Sequence, residues 1–542
     1  MDRAPGQVVR EKGTPPPSFW PKVPVEPGFR SWLTNAPERQ LLVVVRTLTT
    51  LNRLQDILTL TSADLRIQTT FTFDEARPGI LSAGVSDALR ALRVAVTPWE
   101  QAAKNTFDLI LAASENDALH ELNGPILLVP HGIGYQKYYP GGRVTSGMDP
   151  DRLLHHDRVI PAAIALSHSV QREQLKAACP EALDRAVVVG DPCHDRMMAS
   201  RHRVSAYRAA LGSGNRKVVA IASTWGRHSL YARHPHLPHR LLTELPLDEY
   251  QIVLTLHPGV WAAHSPWQLE SWLRPELAAG LTLVPPDHGW QAALLAADCV
   301  LSDQGSAALY AAAAGKPVLL APSAATTTVD DSPLAMLTRA TAEVADTGLR
   351  EQIDTTIANP VPDRYRPVID QAVEDAASGP RLGDVLYDLL DLKRPDPRPG
   401  FPPVPAPAPV THPVAALAAG WDETGKVVRF PASTRPEGLR HRHVLAHADQ
   451  ATLRELDGAA IVFTEDPGRF DELLAHWPLA RLVAAPAPGG CLARARDRGD
   501  FLLSAETDPT LLASHLHLLL VSHADVEGTH AVNGQPVTVS RC

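Results

Sequence analysis

The sequence predicts an α/β protein with two tandem Rossmann-like, doubly wound domains and a small C-terminal α/β module. Three observations support this fold class. Short apolar runs alternate with longer mixed segments, as buried parallel strands alternate with helices. The runs form two successive series along the 542 residues, a length that exceeds one typical domain. A proline-dense stretch then separates the second series from the C-terminal residues.

The first series predicts an N-terminal Rossmann-like domain over residues 39–200. Its apolar runs are LLVVV at 41–45, LILAA at 109–113, PILLV at 125–129, AIAL at 163–166 and AVVVG at 186–190. Residues 1–38 precede this domain and are rich in proline and charge. They predict an extended N-terminal arm.

The second series predicts a C-terminal Rossmann-like domain over residues 201–392. Its apolar runs are KVVAIAS at 217–223, QIVLTL at 251–256, LTLV at 281–284, CVLS at 299–302 and PVLL at 317–320. Two doubly wound sheets in tandem are expected to face each other across a cleft. Ligands bind preferentially in such clefts.

The proline-dense stretch covers residues 393–413 and reads KRPDPRPGFPPVPAPAPVTHP. This composition predicts a semi-rigid polyproline II linker. Residues 414–542 follow it and carry further apolar runs, which predict the small α/β module. The module contains no motif with recognisable chemistry, and a protein partner for it remains open.

The composition excludes several classes of function. A formal net charge of −9 without a basic stripe argues against a nucleic-acid partner. The five cysteines have no C-x-x-C spacing, so they indicate neither a disulfide framework nor a zinc site and fit a reducing cytoplasm. No apolar stretch has the length of a signal peptide or a membrane span, which predicts a cytoplasmic protein, while peripheral membrane contact remains open. The P-loop pattern is absent as well, which argues against a GTPase or ATPase of the P-loop class.

The turn Asp303-Gln304-Gly305-Ser306 lies between an apolar strand and an alanine-rich helix. A helix N-terminus offers unpaired backbone N–H groups and a partial positive charge to a phosphate. Gly305 permits close approach to the backbone, and the hydroxyl of Ser306 is a further donor. In the alternative interpretation Ser306 only caps its helix and Gly305 only turns the chain. Both interpretations remain open from the residues alone.

Two histidines follow predicted strands. His131 comes after the run PILLV, and an imidazole at that position can accept a proton near neutral pH, so it is a candidate general base. His257 ends the run QIVLTL, and Pro258 stops the strand there, so this imidazole is a candidate donor to a diphosphate oxygen. For each histidine the alternative is a structural role within its turn.

The loop after the first strand of the second domain contains Trp225 and Arg227. A guanidinium can clamp a phosphate, and an indole can stack on a base or simply pack. The turn at residues 191–195 and the histidine-rich stretch at 228–239 do not have the spacing of metal ligands. We therefore predict no metal site.

Taken in order, these motifs resemble the CDP-glycerol glycerophosphotransferase family, the teichoic-acid polymerases with a GT-B fold, and more distantly other GT-B sugar transferases. The family's Trp-His-Gly-Thr segment corresponds to Pro130-His131-Gly132-Ile133, and its late Asp-Tyr-Ser-Ser turn to residues 303–306. A Gly-Tyr-Pro-Arg-x-Asp turn is matched loosely by residues 190–195, and a strand ending in His-Pro by residues 257–258. The resemblance covers roughly residues 40–390, with Lys316-Pro317 as a further match.

The resemblance implies a metal-independent transferase that needs no cofactor. Such an enzyme moves a glycosyl or polyol-phosphate group from a nucleotide-diphosphate donor to an acceptor hydroxyl, for example in cell-envelope or secondary-metabolite glycoconjugate synthesis. His131 would be the general base on the acceptor side, in the N-terminal domain. In the C-terminal domain, residues 303–306, His257 and Arg227 would bind the donor nucleotide. The donor base and the acceptor are not predicted.

Two alternatives remain. The first is a UDP-sugar 2-epimerase-like enzyme, which shares the fold but needs additional carboxylates in the cleft. The second is a non-catalytic GT-B-like scaffold that binds a nucleotide or a protein. Two departures from the family pattern favour the scaffold: Pro130 replaces the tryptophan and Gly305 replaces the first serine of the phosphate turn. The presence of His131 and His257 opposes it.

Overall fold

The computed structural model describes residues 34–79, 81–139, 142–287, 289–321, 327–360, 363–374, 377–396 and 400–542. Residues 1–33 of the predicted arm therefore lie outside the described residues. The α/β class is confirmed, since the described residues form two parallel sheets, one mixed sheet and a two-stranded ribbon.

The first part of the chain contains eight strands and six α-helices among its described residues. They are β1 Arg39–Val44, α1 Leu48–Leu58, β2 Ile67–Thr72, α2 Val85–Ala91, α3 Trp99–Ala102, β3 Leu109–Ala112, β4 Ile126–Leu128, α4 Pro150–Leu153, β5 Leu154–His155, β6 Arg158–Val159, β7 Ala163–Leu166, α5 Gln171–Ala178, β8 Ala186–Val188 and α6 Pro192–Ala199.

The first sheet has the strand order β2-β1-β3-β4-β7-β8, and every neighbouring pair is parallel. The carboxyl ends of its strands therefore lie along one edge, where ligands of such sheets bind. Five of its strands coincide with predicted apolar runs. The sequence did not predict β2, because this edge strand reads IQTTFT and its first half is only partly buried, so no apolar run marks it.

The second part of the chain contains five strands and twelve α-helices among its described residues. They are α7 Val204–Leu211, β9 Lys217–Ser223, α8 Leu230–Arg233, α9 Leu237–Glu244, β10 Tyr250–Leu256, α10 Pro258–His264, α11 Pro266–Trp272, α12 Arg274–Ala278, β11 Thr282–Val284, α13 Trp290–Ala296, β12 Cys299–Ser302, α14 Ser306–Ala313, β13 Val318–Leu320, α15 Pro333–Ala340, α16 Leu349–Ala358, α17 Arg366–Ile369 and α18 Ser378–Leu389.

The second sheet has the order β11-β10-β9-β12-β13 and is also entirely parallel. All five of its strands coincide with predicted runs. These strands are buried along almost their whole length, which explains why their sequences are continuously apolar. Helix α18, although it lies within residues 201–392, packs its apolar face on the core of the first sheet through Leu382, Leu386 and Tyr387.

A buried polar network connects α1, α6 and α14. Arg53 on α1 donates from Nη2 to Oδ2 of Asp191 at 2.8 Å and to the hydroxyl of Tyr310 at 2.9 Å. Asp191 is the N-cap of α6, where its Oδ1 accepts from the backbone N–H of His194 at 2.7 Å. The Arg53 and Asp191 side chains are 4% and 0% exposed. The ion pair joins α1 to the start of α6, and the Tyr310 hydroxyl joins both to α14, the helix that follows β12.

The described part of the proline-dense stretch packs along the second sheet and is not a free linker. Val404 is buried in the core beside that sheet, where its backbone N–H donates to Ser200 and its carbonyl accepts from the Tyr207 hydroxyl. Val410 pairs with Leu283 on β11 through two backbone hydrogen bonds of 2.8 and 3.0 Å. The stretch thereby covers the unpaired edge of β11, because a proline-rich segment still has N–H groups at its non-proline residues.

The C-terminal module contains nine strands and three α-helices among its described residues. They are β14 Ala416–Trp421, β15 Val427–Pro431, β16 Arg440–His447, α19 Leu453–Asp457, β17 Ile461–Phe463, α20 Phe470–His476, β18 Leu482–Ala487, β19 Gly490–Ala495, β20 Gly499–Ser504, α21 Pro509–Val521, β21 Gly528–Val532 and β22 Gln535–Arg541.

These nine strands form one mixed sheet in the order β15-β14-β16-β17-β18-β19-β20-β22-β21. Helix α21 packs in the core on one face of the sheet, and helix α20 packs in a second core with Val462 and Val483. The module contacts the second part of the chain through Arg429, which pairs with Asp248 in the loop between α9 and β10. Arg429 also pairs with Asp508 of the module itself. The backbone N–H of Leu247 also donates to the carbonyl of Arg429 at 2.9 Å.

Three histidines are buried inside the module. The rings of His443 on β16 and His517 on α21 lie 4.5 Å apart, and the ring of His515 lies 5.8 Å from that of His530. Both ring nitrogens of His515 have no hydrogen-bond partner among the described residues. Burial lowers the pKa values of His443 and His515 to about 4, and that of His517 to about 3. The sequence did not indicate this cluster, because His443 lies far from His515 and His517 in the chain and only the packing of α21 on the sheet brings them together.

Two further findings apply to the described residues only. No helix among them combines the length and apolar character that a membrane crossing requires. No group of three or more histidine, cysteine, aspartate or glutamate side chains in the same residues is arranged to hold a metal ion.

Candidate functional site

His131 lies in the loop that follows β4, at the carboxyl edge of the first sheet. The loop is anchored by Tyr135, whose hydroxyl donates to the carbonyl of Ala165 at 3.0 Å. Gln136 holds the loop to the second part of the chain, because its Oε1 accepts from the backbone N–H of Leu334 at 3.1 Å. The His131 side chain stays open to solvent while protein atoms crowd its other sides.

The predicted phosphate turn follows β12, at the carboxyl edge of the second sheet. Gly305 is the N-cap of α14 and makes no side-chain capping bond, and Ser306 is the first helical residue. The Ser306 hydroxyl has no hydrogen-bond partner among the described residues, so the capping role considered for Ser306 is not what the structure shows. The N-terminus of α14 therefore has backbone N–H groups and a hydroxyl available for an anion.

The histidine loop and the phosphate turn meet in the structure. A methyl group added at Gly132 would lie 2.7 Å from Oγ of Ser306, so the backbone of the residue after His131 touches the first residue of α14. Only glycine fits at this position without a shift of its neighbour. The predicted base and the predicted anion-binding helix end thus lie within one site.

His257 lies at the same site and is the N-cap of α10. Its Nδ1 accepts from the backbone N–H of Gly259 at 2.9 Å, so in the neutral ring the proton is on Nε2. Nε2 lies 3.4 Å from the hydroxyl of Thr49 on α1. Burial, together with the nearby His131 and Lys137, lowers the pKa of His257 to about 3. His257 therefore caps its helix and also offers a neutral Nε2–H to the cleft.

The protonation state of His131 follows from its surroundings. The protein atoms crowded around one side of the ring reduce its hydration and lower its pKa, Glu115 opposes this effect, and the positive charges of Arg53 and Lys137 add to it. The pKa of His131 is thus below its ordinary value of about 6.5. At neutral pH the imidazole is uncharged and can accept a proton.

Asp303 organises the loop after β9. Its Oδ2 accepts three hydrogen bonds, from the backbone N–H and hydroxyl of Thr224 at 2.9 and 2.8 Å and from the N–H of Leu230 at 2.8 Å. The residue is 3% exposed, and its Oδ1 is buried without a partner among the described residues. Asp303 therefore holds the loop that contains Trp225, whose indole is 46% exposed and lies 6.5 Å from the His257 ring.

Arg227 lies on the same loop but does not join the other predicted residues. Its side chain is exposed, and its Nε donates to Nε2 of the neighbouring His228 at 3.0 Å. Gln304 has a different role from phosphate binding in this arrangement, since its Oε1 accepts from the hydroxyl of Thr328 at 3.1 Å. The structure thus brings together His131, His257, Gly305 and Ser306, with Asp303 and Gln304 supporting them.

Three residues at the site were missed by sequence reasoning: Thr49, Glu115 and Lys137. Glu115 follows β3, and its Oε1 accepts from the hydroxyl of Tyr139 and from the backbone N–H of Gly147, the latter at 3.0 Å. Its position at a strand end, two residues after LILAA, was a signal that could have identified it. Lys137 follows the histidine loop, and only the pairing of its segment with the second part of the chain brings it to the site.

No protein-family model matches the chain, and no curated protein matches it either. Solved structures that are similar to it include those of two proteins. The wall teichoic acid polymerase TagF superposes with a TM-score of 0.45 at 13% identity, covering 66% of this chain and 89% of TagF. Alr3699/HepE from Anabaena, in complex with UDP, superposes with a TM-score of 0.38 at 14% identity, covering 65% of this chain and all of HepE.

Proposed function

We propose that the protein is a metal-independent GT-B transferase that moves a glycosyl or polyol-phosphate group from a nucleotide-diphosphate donor to an acceptor hydroxyl. The observation that supports this proposal most is the contact between Gly132 and Ser306. It places a neutral histidine beside a helix N-terminus whose N–H groups are available. A general base and an oxyanion site are the two parts that such a transfer requires.

In the proposed reaction, His131 takes the proton of the acceptor hydroxyl as its oxygen attacks the donor. For a glycosyl donor the attacked atom is the anomeric carbon, and for a polyol-phosphate donor it is the phosphorus that carries the polyol. The bond to the departing nucleotide breaks, and its electron pair remains on a phosphate oxygen. The N–H groups of α14, the Ser306 hydroxyl and Nε2–H of His257 would stabilise that charge. The product, the acceptor with the transferred group attached, would be part of a cell-envelope or secondary-metabolite glycoconjugate.

A second candidate, a non-catalytic scaffold, is favoured by the same contact. The backbone of Gly132 lies against Ser306, so donor phosphates at this helix end require the cleft to open. A protein that kept this arrangement would hold no donor between its two parallel sheets. The epimerase alternative has less support, since Glu115 and Asp303 each already accept several hydrogen bonds from protein groups.

The test is a binding and turnover experiment on the purified full chain. Thermal shifts are measured with CDP, UDP, GDP and ADP and their sugar or polyol conjugates, with and without EDTA. A ligand at about 100 times its dissociation constant adds about 2.7 kcal/mol to the free energy of unfolding. A shift with one base that is insensitive to EDTA supports the transferase. Silence across the panel supports the scaffold.

Substitution of the base then separates binding from chemistry. His131→Ala should retain nucleotide affinity and lose release of free nucleotide from the donor in the presence of acceptor. His236→Ala is the matched control, because His236 is exposed and makes no side-chain cap at the start of α9. Full turnover by His131→Ala would remove the assignment of the base.

A further inference from the structure

Lys137 is placed at the site by an interdomain strand pairing. Residues 136–138 run antiparallel to residues 327–329, with hydrogen bonds from Tyr138 N–H to the carbonyl of Thr327 at 2.7 Å and from Val329 N–H to the carbonyl of Gln136 at 3.0 Å. Lys137 is the central residue of the first segment and lies opposite Thr328. Because Thr328 binds Gln304 of the phosphate turn, Lys137 is held next to that turn.

The ammonium group of Lys137 has no ion-pair or hydrogen-bond partner among the described residues. It lies close enough to His131 and His257 to lower the pKa values of both, and close enough to Asp303 to be influenced by that carboxylate. The two groups form no direct ion pair in the described part of the chain; Oδ2 of Asp303 accepts three hydrogen bonds within its own loop, and Oδ1 is buried without a partner there. Among the described residues, Lys137 is therefore an unpaired cation at the meeting point of the two sheets.

An unpaired, partly buried ammonium is unfavourable unless an anion completes its surroundings. Burial accordingly lowers the pKa of Lys137. The groups around it include the Asp303 carboxylate and three features suited to an anion: two uncharged imidazoles, one of which presents an N–H, and the N-terminus of α14. Arg227, the cation expected from the sequence, is exposed and bound to His228.

We propose that Lys137 is the cation that binds the diphosphate of the donor, so that one lysine from the histidine loop and the N-terminus of α14 hold the same phosphates from both sides of the cleft. This inference rests on the proposed function. It assigns the charge neutralisation to the first part of the chain, whereas the sequence placed all donor contacts in the second. Donor binding would then require the cleft to open, because Gly132 lies against Ser306.

The experiment measures dissociation constants of CDP and UDP by calorimetry for the wild type, Lys137→Met, Lys137→Arg and the matched control Lys104→Met. Lys104 is exposed on the same domain and has no ion pair in the described part of the chain. Loss of a charge-assisted contact should weaken diphosphate binding about 10-fold to 100-fold in Lys137→Met. Lys137→Arg should recover much of the affinity, and Lys104→Met should bind as the wild type does.

The outcomes separate the two proposals. A wild type that binds neither CDP nor UDP overturns the donor site and the lysine assignment together. Diphosphate affinity that is unchanged in Lys137→Met, with the wild type binding well, overturns the lysine assignment alone. Thermal unfolding of each variant shows whether it is folded.

A second measurement uses only the wild type and remains decisive if Lys137→Met does not fold. Binding of CDP is measured from pH 7 to pH 10 in two buffers of different ionisation enthalpy. Because burial lowers the pKa of the free Lys137 and a bound diphosphate raises it, binding should take up protons in part of this range. Nucleotide binding without proton uptake at any pH in the range would contradict the assignment.

Discussion

Lowering the pH from 7 to 5 should destabilise the C-terminal module. The perturbation acts on His443 on β16 and on His515 and His517 on α21, which are 5–6% exposed. Burial lowers the pKa values of the first two to about 4 and that of His517 to about 3. In the unfolded chain each imidazole has its ordinary pKa of about 6.5. Arg481 and His441 also lower the pKa of His517, because a positive charge on either disfavours protonation of its ring.

The sign follows from proton binding. Between pH 6.5 and about 4 the unfolded chain protonates these histidines while the folded module keeps them neutral. The unfolded state therefore binds more protons, and the free energy of unfolding falls as the pH falls. The free energy of unfolding has its full value above pH 6.5 and falls progressively as the pH approaches the pKa values of the folded module. At pH 5 each histidine removes about 2 kcal/mol, or about 6 kcal/mol for the three. That loss is comparable with the whole stability of a typical domain.

The assay is a urea titration of the full chain at pH 7 and pH 5, with proteolysis at each urea concentration and mass spectrometry of peptides from residues 414–542. The urea midpoint of these peptides should fall sharply at pH 5. The double variant His443→Leu/His517→Leu should lose about two thirds of this pH dependence, and His523→Asn, at an exposed position, should keep all of it. A change below about 1 kcal/mol between the two pH values would refute the reasoning.

Three further predictions concern the contacts between elements. Gly132→Ala should weaken CDP binding measured by calorimetry, because the new methyl group displaces the Ser306 hydroxyl that is proposed to bind phosphate. It should change the urea midpoint little, because this hydroxyl can rotate away. Tyr310→Phe should lower the free energy of unfolding by about 1.5–3 kcal/mol, since it removes the hydroxyl that hydrogen-bonds to both members of the buried ion pair. The control is Tyr231→Phe, which should have a smaller effect in the same urea titration, because the Tyr231 hydroxyl has no hydrogen bond among the described residues. Val410→Pro should remove the N–H that pairs with β11 and make the proline-dense stretch more rapidly cleaved in limited proteolysis, with an unchanged cleavage rate contradicting the edge pairing.

The strands of the two parallel sheets could be predicted because burial on both faces makes a strand continuously apolar. Ten apolar runs in the sequence correspond to strands of these sheets. The exception is β2, whose edge position tolerates threonine and glutamine. The end of each buried strand also marks where site residues are found, which is why His131, His257 and the turn at 303–306 were identified without coordinates.

The remaining parts of the site depend on contacts between distant segments. Arg227 was expected to bind phosphate, but the loop held by Asp303 leaves it exposed. Lys137 was not identified, because a lysine in a loop has no local signature of function, and Glu115 was overlooked although it lies at a strand end. Their proximity to His131 arises from the neighbouring strand end and from the pairing of residues 136–138 with residues 327–329.

The sequence by itself determined the α/β class, the order of the strands in the chain and the turns that follow them, since these depend on local periodicity and on the residues at strand ends. Only the tertiary structure decided which of these turns meet. The return of α18 to the first sheet, the docking of Val410 on β11 and the approach of Gly132 to Ser306 all join segments far apart in the chain. Such contacts are selected by the shape and charge of two assembled surfaces, and no local pattern encodes them.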